Sequence, residues 1–107
     1  MVDPSVLTIV RLYLLTLQQH GLAVQFGVVF GSQATGRVHQ WSDIDLVVVS
    51  PAFDRLTNRQ PVNLLWRLAA RVDSRIEPIP CGLHQWREDA ASPILELARR
   101  EGQEVAV

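Results

Sequence analysis

Asp43 and Asp45 stand two residues apart at the head of an apolar run over residues 44–49. Side chains alternate between faces in an extended chain, so both carboxylates point the same way. At about 5 Å and an effective dielectric near 20, two ionised carboxylates repel by roughly 3 kcal/mol, a cost that a bound cation reverses. A divalent metal is one reading of the pair; the other is that Ser42-Asp43 turns the chain while Asp45 faces solvent. Gly31-Ser32, directly after the apolar run that ends at Phe30, adds a second element of chemistry. Glycine lets backbone N–H groups approach a phosphate without a side-chain clash, and serine supplies a neutral hydrogen bond. A turn would then hold phosphate while acids hold metal. Gly31, Gly36, Arg37 and Val38 loosely echo a P-loop, but that motif needs Lys, then Ser or Thr, then a helix, which argues against a Walker-type ATPase.

These residues need elements to hold them. Asp3 caps and Pro4 opens a helix that runs to about His20, where Gly21 supplies the stop. Val6, Ile9, Val10, Tyr13, Leu14 and Leu17 recur at helical spacing as its buried stripe. Leu12 and Leu15 project from the other side, either as a partner surface or as scattered surface leucines. Residues 24–30 and 44–49 read as buried strands, and the segment between them is too short for a long crossover helix, so they are expected to be antiparallel neighbours. Residues 51–60 read as a loop. Pro61 opens a helix with Val62, Leu65, Trp66, Ala69 and Val72 on one face, and Arg67 and Arg71 on the solvent side. Residues 75–80 form a third strand whose prolines suit an edge. Ser92 and Pro93 start a last helix carrying Ile94, Leu97 and Ala98, stopped by Gly102, and residues 104–107 add a short strand. The expected fold class is α/β (α+β): a small mixed or antiparallel sheet flanked by helices, in one domain spanning 1–107.

Composition narrows the function classes. At 107 residues, 48% of them hydrophobic and 20% charged, the chain has the composition of a globular protein with one core. Arg11, Gln18, Gln19 and Asp45 interrupt the apolar stretches before the roughly 20 residues a membrane span needs. The first residues lack a basic segment followed by an apolar run, so no secretory signal is expected and the cytoplasm is the expected location. Cys81 is the sole cysteine, which fits a reducing compartment and a small packed side chain. Ten arginines, no lysine and eleven acids give a formal charge of −1 without a basic block, so direct nucleic-acid binding is not expected. His20, His39 and His84 are scattered and offer no zinc spacing.

The string Val29-Phe30-Gly31-Ser32, ten intervening residues, then Asp43-Ile44-Asp45-Leu46 resembles the signature of nucleotidyltransferases of the DNA polymerase beta superfamily. Within it, the chain is similar to the minimal nucleotidyltransferases (MNT), the antitoxin half of HEPN/MNT toxin–antitoxin pairs. The resemblance implies a polymerase-palm-like fold and two-metal chemistry with Mg²⁺ and ATP. It assigns Asp43 and Asp45 to the metals, together with a third carboxylate from a later strand. The matching position is Glu77, in Arg75-Ile76-Glu77-Pro78, where aspartate is the commoner residue. It assigns Gly31 and Ser32 to the phosphates of the nucleotide; Arg37 is either a further phosphate contact or a solvated loop arginine. His39 and Trp41 lie in the same loop, where they either stack on a base or serve as an ordinary loop histidine and a partly buried tryptophan.

The function implied by the resemblance is transfer of AMP from ATP to a hydroxyl of a partner HEPN toxin, which silences it. A second possibility is an antitoxin that neutralises by binding alone, through the surface of Leu12 and Leu15. A third is a small-molecule nucleotidyltransferase, which the absence of room for an acceptor domain disfavours.

Overall fold

The Asp3 carboxylate accepts a hydrogen bond from the Ser5 N–H at 2.8 Å, and Pro4 takes the first helical position, where a missing N–H costs nothing. This start launches α1 (Pro4–Gln19), the first element of a computed structural model that describes residues 2–35, 42–55 and 57–107. There follow β1 (Phe26–Phe30), α2 (Ser32–Thr35), β2 (Ile44–Val49), a 3₁₀ turn over Pro51–Asp54, and α3 (Gln60–Val72). The chain ends in β3 (Ile76–Cys81), α4 (Leu83–Glu88), α5 (Pro93–Glu101) and β4 (Gln103–Ala106). Among the described residues no helix is long and apolar enough to cross a membrane.

The sheet has the order β3-β2-β1-β4. As the short connection required, β1 and β2 are antiparallel; β4 is antiparallel to β1, and β3 is parallel to β2, so the sheet is mixed. β3 is an edge strand, and its prolines show why it can be one. The Arg75 carbonyl accepts from Ile44 N–H at 2.8 Å and the Cys81 carbonyl from Ser50 N–H at 2.9 Å, so odd-numbered residues direct their backbone groups at β2. Pro78 and Pro80 occupy the even positions, whose absent N–H would have pointed away from the sheet.

Strand alternation divides the core into two layers. Val29, Ile44, Leu46 and Val48 face α1 and α3, meeting Val6, Val10, Tyr13, Leu14, Leu17, Leu65 and Leu68. Leu14, Leu46 and Leu65 are fully buried, each contributing about 1.5–3 kcal/mol of transfer free energy. The Tyr13 hydroxyl donates to the Leu65 carbonyl at 2.8 Å, tying the two helices together, and burial pushes its pKa up. On the other face, Val28, Phe30, Val47, Val49 and Cys81 pack against Leu95 and Ala98 of α5, with Trp86 of α4 alongside. Phe26 meets the edge of Trp86, and Arg99 lies over that indole, 5.0 Å from its centroid.

Several expectations are corrected. Trp66 is 53% exposed and Leu68 is buried in its place, because a stripe through Leu65, Leu68, Ala69 and Val72 leaves position 66 about 100° to one side. Ile94 is likewise 49% exposed, since the buried face of α5 is centred on Leu95 and Ala98. Residues 51–54 are a 3₁₀ turn instead of open loop, started by the Ser50 hydroxyl accepting from Ala52 N–H. α4 has no counterpart among the expected elements; its first N–H groups, from His84 and Gln85, are satisfied by the Asp54 carboxylate thirty residues earlier.

Candidate functional site

Among the described residues, the acids lie at the end of the second sheet face, away from the apolar cluster under α5. Phe30 on β1, Asp45 on β2 and Glu77 on β3 are register partners across the sheet, so their side chains share that face. Asp43 precedes the first residue of β2 by one position and, by alternation, lies on the same side as Asp45. Asp45 is half-buried, whereas Asp43 and Glu77 are exposed.

The three carboxyls feel one another. Desolvation, then the charge of Asp43, raises the Asp45 pKa, while a hydrogen bond from Glu77 opposes the rise. Desolvation, then the charges of Asp43 and Asp45, raises that of Glu77, whose proton is held by hydrogen bonds to both aspartates. Among the described residues no three His, Cys, Asp or Glu side chains stand as a ready-made ligand cluster. The three acids lie at one end of the same sheet face. Their chemistry nevertheless suits a hard divalent cation: all donors are carboxylate oxygens, and a cation relieves the repulsion that a proton relieves in its absence.

Gly31 brings the backbone against this group. Its φ is +72°, and a Cβ at that position would run into the Asp45 carboxylate oxygen Oδ2. Both facts demand glycine. The Gly31 carbonyl accepts from the N–H groups of Ala34 and Thr35, at 3.1 and 3.2 Å, which folds residues 32–35 into α2 immediately after the strand. Ser32 opens this helix and is partly exposed. Gly31, Ser32, Asp45 and Glu77 are thus assembled at one end of the sheet, with Asp43 beside them. Arg37, with His39 and Trp41, lies outside the described residues.

Sequence reasoning misses Gln33. It is 4% exposed, and its Nε2 donates to two successive carbonyls, Ser42 and Asp43, at 3.3 Å each. No motif flags a glutamine in such a place; only a polar side chain between two site segments hints at it. A separate cavity of about 460 Å³, lined by His20, Ala52, Gln60, Asn63 and Arg67, opens beside the start of α3 and contains none of the three acids.

A family model described as a nucleotidyltransferase domain matches residues 10–97. The chain belongs to this family. The resemblance drawn from the Gly31-Ser32 and Asp43-Ile44-Asp45 strings is borne out, and so is the fold class. This nucleotidyltransferase domain is also similar to solved structures. One is a crystal structure of a toxin-antitoxin with AMP-PNP, 26% identical, with a TM-score of 0.57 over 86% of this chain and 68% of that one. Another is a toxin-antitoxin MntA-HpeT mutant in which two aspartates two positions apart are replaced by glutamate. It is 20% identical, with a TM-score of 0.53 over 84% of this chain and 66% of that one. The nucleotidyltransferase domain thus spans about two thirds of the length of each. No curated protein matches the chain.

Proposed function

We propose that the chain is a Mg²⁺-dependent nucleotidyltransferase, cytoplasmic and acting as an antitoxin, that moves AMP from ATP to a hydroxyl of a partner HEPN toxin. The observation that carries the reading is the row formed by Asp45 and Glu77 across β2 and β3, with Asp43 on the same side and the Gly31 backbone pressed against Asp45. The 26%-identical toxin-antitoxin was crystallised with AMP-PNP, which supports an adenine nucleotide. The aspartates altered in the MntA-HpeT mutant have the spacing of Asp43 and Asp45, which supports a functional pair here.

Asp43, Asp45 and Glu77 would hold two Mg²⁺ ions, which would neutralise the triphosphate and make its α-phosphorus more electrophilic. Gly31 and Ser32, with Arg37 as a further contact, would fix the phosphates. Glu77, deprotonated once its neighbours are neutralised, would accept the proton of the attacking hydroxyl. The hydroxyl oxygen bonds to the α-phosphorus as the bond to pyrophosphate breaks.

A second reading, neutralisation by binding alone, is favoured by Leu12 and Leu15, 55% and 47% exposed on the outer side of α1. Calorimetry separates the two. ATP should bind in the presence of Mg²⁺ and weaken sharply without it, and equally sharply in the Asp43→Asn, Asp45→Asn protein. Equal affinity in all three cases would leave only the binding role.

A further inference from the structure

We propose that Gln33 is a positioning residue that fixes the direction of Asp43, an inference that rests on the metal role proposed above for the acids. The two aspartates are anchored very differently. Asp45 sits inside β2, paired with Phe30 on one side and Glu77 on the other, so two ladders set its carboxylate. Asp43 lies one residue before the strand begins; the first ladder bond to β3 is made by the N–H of Ile44. Among the described contacts, the Gln33 amide ties down the backbone at Asp43: its Nε2 carries two protons and meets two carbonyls, those of Ser42 and Asp43.

Gln33 can do this because of where α2 begins. Gly31 turns the chain at positive φ, and Gln33, two residues on, is carried inward to 4% exposure. One turn therefore performs two tasks: it sets the Gly31 backbone against Asp45 and delivers the amide that orients Asp43. A neutral amide suits the place. A carboxylate there would face two carbonyl oxygens, and a cation would compete for the acids with any bound metal.

The test uses Mn²⁺ alone as the probe, with free ion read by electron paramagnetic resonance on the full chain. Gln33→Met keeps the length and loses both donors, and should weaken Mn²⁺ binding roughly tenfold, the size expected when a ligand loses one or two orienting hydrogen bonds. Tyr13→Phe serves as the reference, because it removes a buried hydrogen bond on the opposite sheet face and should lower stability without moving Mn²⁺ affinity. Gln33→Leu repeats the measurement should the methionine variant not fold. A tenfold loss confined to the Gln33 variants supports the assignment. Unchanged affinity, or an equal loss in Tyr13→Phe, overturns it. Failure of the wild-type protein to bind Mn²⁺ would instead sink the metal reading beneath it.

Discussion

Asp45 and Glu77 are direct register partners on parallel neighbouring strands; burial, and then the charge of Asp43, raises the pKa of both, and the charge of Asp45 adds to the rise at Glu77. With Asp43 beside it, such a pair stores repulsion in the folded protein that the unfolded chain does not have. In the absence of metal it makes folding sensitive to pH in a definite direction.

Both groups have folded pKa values above the ordinary 3.8 and 4.5, so between those values and the raised ones the folded state binds more protons than the unfolded state. Stability of the metal-free protein should then fall as pH rises through that window and level off above it. Asp73 acts oppositely. Its hydrogen bond from Arg75, in a salt bridge of 3.0 Å, lowers its pKa, so its contribution is present above 3.8 and lost as pH falls. Urea unfolding in EDTA should therefore show stability rising with pH up to the ordinary carboxylate range and declining above it. Mg²⁺, or the change Glu77→Gln, should flatten that decline.

Gly31→Ala tests the close approach of backbone to acid. An alanine at positive φ costs about 1–2 kcal/mol, before its Cβ meets Asp45. Chemical denaturation should show at least that loss. Mg²⁺-dependent ATP affinity, measured where the variant is still folded, should fall as well, because Asp45 must move aside.

Leu12→Glu with Leu15→Glu tests the docking surface. Both side chains are exposed, so stability should change by no more than about 0.5 kcal/mol and ATP binding should be unaffected. Neutralisation of a partner toxin should fall at least tenfold if this face is where the partner docks. Full neutralisation would move the interface elsewhere.

The parts of this fold that sequence revealed are those governed by local chemistry. The Asp3-Pro4 cap, the apolar stripe of α1, the two central strands and the antiparallel turn between them all follow from residues adjacent in the chain. Glu77 was reached through family resemblance, and the register of β3 then set it opposite Asp45. What stayed hidden depends on distant partners. α4 takes its cap from Asp54, and the role of Gln33 is written in carbonyls nine and ten residues away. Trp66 misled because a large apolar residue at helical spacing reads as core, although the stripe beside it is already filled by Leu65 and Leu68.

The central claim, that the acid row transfers AMP, is tested most directly by intact mass. A HEPN toxin encoded beside this chain would be incubated with ATP, Mg²⁺ and substoichiometric amounts of the protein. The wild type should add mass to the toxin in steps of about 329 Da, and the Asp43→Asn, Asp45→Asn protein should add none, since the metal's electrostatic help would be gone. An unmodified toxin that is nevertheless neutralised by wild type and double mutant alike, each only at one-to-one ratios, would contradict the claim and leave a protein that works by binding.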